Sequence, residues 1–203
     1  MTGAAESGQA GAEPRPASRP GVLVITGPSG VGKGTLIQAL CRHFPDLRLS
    51  VSATTRPPRS GERDGIDYHF LTPEEFERRV QAGEFLEHAE YAGNRYGTLR
   101  SEVEDAPDGV VLEIEVQGAR QVREAMPEAV QVFIAPPSPE VLRERLLRRG
   151  TDSPEGIARR LEQAERELEA KDEFQHVIEN DDVDRAAAEL IDLVATIWPR
   201  PGR

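Results

Sequence analysis

Lysine is almost absent from this chain of 203 residues: of its 25 Lys and Arg side chains, only Lys33 and Lys171 are lysines. Cysteine is limited to Cys41, which excludes an intrachain disulfide framework and is typical of a reducing cytoplasm. No apolar stretch approaches the ~20 residues of a transmembrane helix. We therefore expect a cytoplasmic protein without a membrane span.

Positive charge is also scarce, since 36 acidic residues leave a formal net charge of −11. This balance argues against broad binding to nucleic acid or to an anionic membrane, so we expect neither as a partner. The length suits one domain, with or without small inserted subdomains. Residues 1–20 are rich in Ala, Gly and Pro and contain no apolar segment like that of a signal peptide. They predict a disordered tail ahead of a domain over 21–203.

The lysine at position 33 stands in a glycine-rich segment that fits a phosphate-binding loop. The P-loop pattern G-x-x-x-x-G-K-[S/T] is matched up to Lys33, but Gly34 follows it and the hydroxyl arrives one position later, at Thr35. In such a loop the lysine ammonium reaches the β- and γ-phosphates as a compact point charge. The alternative is a glycine-rich turn that carries a surface lysine. The predicted phosphate-binding residues are Gly27, Pro28, Ser29, Gly30, Val31, Gly32, Lys33, Gly34 and Thr35.

The segments on either side of this loop favour the phosphate-binding interpretation. Residues 22–25 form a short apolar run that is typical of a buried parallel strand. Beyond the loop, apolar residues recur at helical spacing until Pro45 ends the pattern. A helix that begins here adds backbone amides that bind anions. Strand, loop and helix in this order are the context that the motif requires.

The rest of the chain alternates between strand-like and helix-like segments, which predicts an α/β fold with a parallel sheet. The predicted strands lie at 47–52, 110–116, 129–135 and 176–179, with a turn at 93–97. Helices are predicted after Thr72, near 119–125, after Ser138, after Ser153 and over 183–198. The two helices around 150–152 carry many arginines and suit a mobile lid. A solvated helix pair is the alternative.

Several motifs, taken together and in this order, resemble the guanylate kinase family from residue 22 to about residue 194. They lie at 27–30, 50–59, 65–68, 93–98, 135–138 and 180–182. The resemblance implies a P-loop kinase core with a parallel sheet flanked by helices, an inserted GMP-binding subdomain and a helical lid. The implied boundaries are 21–53, 108–136 and 171–200 for the core, 54–107 for the GMP-binding insert and 137–170 for the lid.

The resemblance also implies an activity, the Mg²⁺-dependent transfer of the γ-phosphoryl group of ATP to GMP or dGMP in purine nucleotide metabolism. ATP and GMP would be the small-molecule partners, with Mg²⁺ and ATP as cofactors. The nucleophile would be a phosphate oxygen of GMP that is already anionic near neutral pH. Catalysis would therefore need alignment and positive charge rather than a base. Whether the protein is a monomer or a homo-oligomer is left open.

Site residues follow from the positions that match the family. The lysine of the loop and the lid arginines would be catalytic, the asparagine of the 180–182 motif would contact the ATP side, and Thr35 would contact Mg²⁺. The lid arginines are Arg145, Arg149 and Arg160, the asparagine is Asn180, and the GMP-binding positions are Ser52, Arg56, Arg59, Tyr68, Glu87, Tyr96, Thr98, Glu113 and Glu115. Glu113 and Glu115 stand where the family usually has aspartates.

The chemistry of guanine independently supports Glu87 as a base-reading residue. Guanine presents an N1–H and an N2 amine side by side, and one carboxylate can accept hydrogen bonds from both. Adenine presents a bare acceptor at N1, which the same carboxylate would repel. A buried polar group that is left unpaired costs about 1–3 kcal/mol, and more when it is charged, so the contact discriminates between the bases.

Two other functions are compatible with these residues. A scaffold module of the same fold would bind phosphopeptides without catalysis, although such modules typically lose the phosphate loop that this chain keeps. A related P-loop kinase would act on a different nucleotide or on a sugar bisphosphate. The histidines show no metal-ligand spacing and are predicted to be structural or surface residues; they are His43, His69, His88 and His176.

Overall fold

The structure, a computed structural model, describes residues 21–91, 93–106, 108–148 and 154–197. Its strands are β1 (Val22–Thr26), β2 (Arg48–Leu49), β3 (Ala53–Thr54), β4 (His69–Phe70), β5 (Phe85–Tyr91), β6 (Asn94–Leu99), β7 (Val110–Glu113), β8 (Val130–Ala135) and β9 (His176–Glu179). Its helices are α1 (Lys33–His43), α2 (Pro73–Gln81), α3 (Arg100–Glu104), α4 (Val116–Ala125), α5 (Pro139–Arg148), α6 (Pro154–Glu169) and α7 (Val183–Ile197), with a 3-10 turn at Lys171–Glu173. The predicted tail over 1–20, the predicted helix cap at Ser153 and the predicted helix end at residue 198 lie outside the described residues.

Five strands form an all-parallel sheet in the order β2-β7-β1-β8-β9. Every residue of β1 is buried, as expected for a strand that is covered on both faces. This arrangement confirms the predicted α/β fold with a parallel sheet. Because β7 and β8 lie on opposite sides of β1, the loop after β1 opens where the strand order reverses. Ligands of open α/β sheets bind at such a point.

Alternate residues of each strand point to opposite faces, which divides the core into two layers. On one face, Leu23 and Ile25 of β1 pack in a cluster with Leu36 of α1 and Leu190 of α7. On the other face, Val24 packs in a cluster with residues of α4, namely Val116, Ala119 and Val122. Helices therefore cover both faces of the main sheet and hold the loop after β1 in place. Within the described ranges, no helix combines the length and the apolar character needed to cross a bilayer.

A second, mixed sheet with the order β4-β3-β6-β5 begins at Ala53, one residue before the predicted insert over 54–107, and otherwise lies within that segment. The pair β3–β4 is parallel, whereas β3–β6 and β5–β6 are antiparallel. Its small core contains Phe76 and Phe85, whose rings stack with centroids 4.4 Å apart. Thr72 caps α2 and accepts a hydrogen bond from the Glu75 amide at 3.1 Å, as its capping-box sequence predicts.

The predicted turn at 93–97 is confirmed only at its first residue, Gly93, which has a φ of 76°, and is wrong for 94–97, because β6 occupies Asn94–Leu99. Glycine and asparagine are typical of turns, but here the backbone pairs on both sides. Tyr96 is paired with Ala89 of β5 and with Thr54 of β3. Tertiary pairing thus overrides the local preference of this segment.

Two predicted strands are shorter than expected. The strand predicted at 47–52 pairs with the main sheet at β2, over Arg48 and Leu49. The backbone amide of Ser50 also donates to the Val111 carbonyl at 2.9 Å, and the chain then crosses to the second sheet at β3. The strand predicted at 110–116 ends at Glu113, because Val116 already begins α4 with Glu115 as its N-cap. Both strands end where the chain reaches the cleft described below.

The predicted lid hairpin contains one helix that belongs partly to the core. Leu142 and Leu146 of α5 are buried in the same cluster as Val31 of the loop and Leu36 of α1. A Cβ atom on Gly30 would lie 2.8 Å from Cδ2 of Leu146. The α5 helix is therefore packed directly on the glycine loop, unlike a fully solvated helix pair. The boundaries of the insert and the lid stay predictions.

Candidate active site

A cleft of about 590 Å³ opens at the carboxyl ends of β1 and β7, between the main sheet, the second sheet and α6. Its volume falls within the range of small-molecule and cofactor sites. It brings together most of the predicted site residues, namely Pro28, Ser29, Gly30, Gly32, Lys33, Gly34, Thr35, Ser52, Tyr68, Glu87, Tyr96, Glu113, Glu115 and Arg160. The predicted phosphate loop and the predicted base-reading carboxylate therefore share one cavity.

Only glycine fits the backbone at Gly27, the first position of the loop between β1 and α1. Gly27 has a φ of 136°, and a Cβ atom there would lie 2.2 Å from the carbonyl oxygen of Ile134 in β8. Gly32, with a φ of 103°, would bring a Cβ atom to 2.5 Å from Nδ2 of Asn180. The loop is thus pressed against β8 and against the segment after β9, with its amides at the start of α1.

Lys33 folds back over the loop that precedes it. Its Nζ donates to the carbonyl oxygen of Gly27 at 2.5 Å and lies 3.4 Å from that of Pro28, and the residue is only 8% exposed. The ammonium group is therefore held inside the curve of the loop rather than in bulk solvent. Glu113, at the end of β7, lies close enough for Lys33 to act on its pKa.

Asn180 and Arg145 both bind the backbone of the phosphate loop. The carbonyl oxygen of Val31 accepts from Nδ2 of Asn180 at 2.7 Å and from a guanidinium nitrogen of Arg145 at 3.2 Å. Arg145 also donates to the carbonyl oxygen of Asn180 at 2.9 Å. In this structure both residues support the loop from behind instead of lining the cleft. Arg149 lies outside the described residues.

We expect Asn180→Asp to destabilise the protein by about 2–4 kcal/mol, because it places a buried carboxylate against the Val31 carbonyl. Asn180 is 2% exposed, so water cannot replace the lost donor. Asn180→Ala removes the bond without adding repulsion and should cost less. Urea unfolding of both variants measures the difference, and equal stability of Asn180→Asp and the unchanged protein would contradict the role of the amide.

Glu87 lies at the buried end of the cleft. It is 4% exposed, and its Oε1 accepts a hydrogen bond from the Thr98 hydroxyl on the neighbouring strand β6 at 2.8 Å. Burial raises the pKa of Glu87 to about 7, and the Glu115 carboxylate adds to the rise, whereas Thr98 opposes it. An acceptor group with a perturbed pKa at the bottom of a cleft is typical of a ligand-reading residue.

Two further carboxyl groups meet where α6 approaches the end of β7. Glu167 is 3% exposed and accepts from Nε2 of Gln163 at 3.0 Å. Its Oε2 and the Oε2 of Glu115 are both buried and receive no hydrogen bond from any described residue. Burial and the neighbouring Glu115 raise the pKa of Glu167.

Of the four predicted residues near the outer part of the cleft, Tyr68 and Tyr96 line it and the arginines do not. Arg56 forms a two-point ion pair with Glu62, with N–O distances of 3.0 and 2.9 Å, and its guanidinium carbon lies 5.2 Å from the centre of the Tyr68 ring. The amide of Arg59 donates to the same carboxylate at 2.7 Å. Glu62 therefore occupies the site that Arg56 would offer to an anion.

Sequence reasoning missed Tyr91, Ser50 and Glu167. Residues 87, 89 and 91 of β5 all line the cleft, so the strand period of two, counted from Glu87, would have indicated Tyr91. Burial and the carboxylates of Glu115 and Glu167 raise the pKa of Tyr91. No sequence signal indicates Glu167, since it approaches Glu115 only through the packing of α6.

Of the four histidines, His69 contacts a buried carboxylate. Nε2 of His69 lies 3.1 Å from Oε1 of Glu102, and Oε2 of the same carboxylate accepts from the Val51 amide at 2.9 Å. Among the described residues, no group of three or more His, Cys, Asp or Glu side chains is arranged to hold a metal ion. A metal ion in this cleft would therefore take fewer ligands of these types and would complete its shell with oxygens from a bound phosphate or from water.

Two features share this cleft: a glycine loop with a lysine, at the point where the strand order of the parallel sheet reverses, and a buried carboxylate that can bind a base. Together they define the class of P-loop nucleotide kinases. Comparison with known proteins identifies the family within this class. The sequence model of the family described as guanylate kinase matches residues 19–196, and the chain belongs to the guanylate kinase family.

Individual relatives agree with this assignment. The chain is 52% identical over 191 residues to a guanylate kinase of Synechococcus sp. (strain JA-3-3Ab), covering 93% of this chain and 87% of that protein. It is 56% identical over 177 residues to a guanylate kinase of Frankia casuarinae, covering 86% and 96%. A crystal structure of guanylate kinase from Anaplasma phagocytophilum superposes with a TM-score of 0.72 at 34% identity, covering 91% of this chain and 89% of that one.

Proposed function

We propose that this protein transfers the γ-phosphoryl group of ATP to GMP or dGMP, which gives ADP and GDP or dGDP. The observation that carries the proposal is the position of Glu87, buried in the same cleft as the phosphate loop of Lys33. Family membership supports the overall reaction.

Selection of the acceptor base is assigned to Glu87 and Thr98. With one carboxylate oxygen engaged by the Thr98 hydroxyl, the group keeps a fixed orientation and still has acceptor capacity for the guanine N1–H and N2 amine. Its burial strengthens this discrimination, because an unmatched base would leave a carboxylate desolvated and unpaired. Ser52 and Glu115 line the same cleft as Glu87 and are proposed to complete the guanine site.

The GMP phosphate is proposed to bind at Arg56, Arg59, Tyr68 and Tyr96. Since Arg56 already pairs with Glu62 in this structure, the phosphate must share or replace that carboxylate. A guanidinium fork binds phosphate in two-point geometry, and the tyrosine hydroxyls can donate beside it. This exchange would hold the acceptor phosphate in line with the donor at the glycine loop.

Charge stabilisation of the transferred group is assigned to Lys33 and to Arg160, which lines the cleft from α6. The nucleophile, an anionic phosphate oxygen, needs no base, so these cations act by neutralising the equatorial oxygens. Arg145 supports the loop through the Val31 and Asn180 carbonyls and would reach phosphates only by leaving them. Arg149 is assigned a phosphate role by its match to the family alone.

A magnesium ion fits the oxygen donors on the loop side of the cleft. The Thr35 side chain and the Glu113 carboxylate both line it, and Mg²⁺ prefers oxygen ligands while keeping several waters. Burial raises the pKa of Glu113, whereas Lys33 opposes the rise. When bound with ATP, the ion would supply positive charge at the β- and γ-phosphates.

We expect GMP binding to weaken as the pH falls below about 7, because the pKa of Glu87 is about 7 and GMP needs its ionised form. The sign follows from linkage: protonation competes with the ligand, so the apparent Kd rises by up to about tenfold per pH unit below the pKa. Calorimetry of GMP binding between pH 6 and 8.5 measures the effect. The phosphate of GMP also titrates near pH 6, and Glu87→Gln retains that titration alone. Identical pH profiles for both proteins would contradict the assignment.

An acceptor panel tests the proposed function directly. The full chain would be assayed with Mg·ATP and each of GMP, dGMP, AMP, CMP, UMP and a ribose bisphosphate. Rapid turnover of GMP and dGMP, with the other acceptors slower by at least about a hundredfold, is the expected result. No turnover with any acceptor would favour a binding module, and preference for another acceptor would favour a related kinase.

A further inference from the structure

Gly118, in the first turn of α4, lies against the carboxylate of Glu87. A Cβ atom at this position would be 2.4 Å from Oε2 of Glu87 and 3.0 Å from its Cδ. Real side chains essentially never approach so closely, so any larger residue requires the Glu87 carboxylate or the helix to move. We infer that Gly118 is a specificity-determining residue, which holds open the space in which the Glu87 carboxylate reads guanine.

Backbone conformation does not explain this glycine. Gly118 is helical, whereas eight other glycines of the described residues have a positive φ. Within a helix, glycine is less favourable than alanine because it loses more backbone entropy. The sequence therefore accepts a weaker first turn of α4, and the close contact with Glu87 is the physical reason that the structure provides.

Hydrogen bonds hold helix α4 against strand β5, so α4 cannot easily move away from it. Gln121 of α4 binds both polar groups of one residue of β5: its Oε1 accepts from the His88 amide at 3.2 Å, and its Nε2 donates to the His88 carbonyl at 2.7 Å. Glu87 is adjacent to this clamp, and β5 pairs with β6 continuously from Glu87 to Tyr91, after a register shift between Phe85 and Glu87. An added methyl group would thus displace the carboxylate end of Glu87, the nearest flexible group, and would break its bond from Thr98.

Gly118→Ala tests the inference, which rests on the proposed guanine-reading role of Glu87. A shift of about 1 Å is needed to restore ordinary contact, and it exceeds the tolerance of a well-made two-point hydrogen bond. We expect the KM for GMP to rise at least about tenfold, with kcat and the KM for ATP within about twofold. The preference for GMP over IMP, which lacks the N2 amine, should fall by at least about fivefold.

Two matched variants separate this role from a general effect on α4. Gln117→Ala changes the adjacent exposed position toward a better helix former without adding atoms near Glu87, and should leave all constants unchanged. Glu87→Asp shortens the carboxylate. The double variant Gly118→Ala/Glu87→Asp should therefore bind GMP no more weakly than Glu87→Asp alone, and should recover any thermal stability that Gly118→Ala loses.

Different failures have different meanings. Additive losses in the double variant, or an unchanged KM for GMP in Gly118→Ala while Glu87→Gln is impaired, would overturn the role of Gly118 alone. If Glu87→Gln leaves GMP binding unchanged, the proposed role of Glu87 in guanine binding is contradicted, independently of Gly118. Loss of ATP and GMP affinity together in Gly118→Ala, without recovery by Glu87→Asp, would show a structural role and would also overturn the inference.

Discussion

Lys33→Ala is expected to slow phosphoryl transfer by at least about a hundredfold while GMP binding changes little. Removal of one preorganised donor of transition-state charge typically costs 10²–10³ in kcat. The Lys33 ammonium is held inside the curve of the loop by the Gly27 carbonyl at 2.5 Å, and this loop is the one proposed to bind the phosphates of ATP. Steady-state kinetics and calorimetry with GMP measure the two quantities separately.

The scarcity of lysine provides a clean control for this experiment. Lys171, the other lysine, lies in the 3-10 turn after α6, and Lys171→Ala should retain full activity. Lys33→Met is a second variant, which keeps the aliphatic stem and removes the ammonium group together with its bonds to the loop carbonyls. A loss of less than about tenfold in kcat, equivalent to ~1.4 kcal/mol, in both Lys33 variants would contradict the catalytic role.

Glu87→Gln is expected to weaken GMP binding by about a hundredfold. The amide keeps one acceptor where the carboxylate has two, and its NH₂ group would face a guanine donor. Loss of a charged hydrogen bond and an unpaired buried donor together amount to about 2–3 kcal/mol. Calorimetry gives the affinity directly, and the KM for ATP serves as the internal control. Unchanged GMP affinity would remove Glu87 from the site.

The same substitution should stabilise the ligand-free protein at alkaline pH. The pKa of Glu87 is raised from 4.5 to about 7, so the folded state holds its proton more tightly than the unfolded state. Its favourable contribution is present below pH 4.5 and is lost as the pH rises through 7, when an ionised carboxylate is buried. At pH 8 the penalty is about 3 kcal/mol, which Glu87→Gln removes. Urea unfolding should therefore show a gain at pH 8 that shrinks toward pH 5, and no gain would contradict the buried ionised state.

Short-range sequence patterns predicted the main sheet and the phosphate loop. The apolar run of β1, the glycines after it and the apolar periodicity of α1 are consecutive in the chain, so short-range rules suffice to predict them. The second sheet was harder, because β6 has the composition of a turn and becomes a strand only by pairing with β3 and β5. Residue matching to the family supplied Glu87 and Thr98, whose hydrogen bond joins neighbouring strands.

The chain alone therefore indicated the α/β class, the candidate phosphate loop and the family, since the motifs behind them consist of residues close together in sequence. Folding decided how the groups are paired: Glu62 on Arg56, Arg145 and Asn180 on the Val31 carbonyl, and Gly118 against Glu87. Most of these partners are far apart in the chain, and charge or hydrogen-bond energy depends on distances that only packing sets. Spacing along a sequence does not contain those distances.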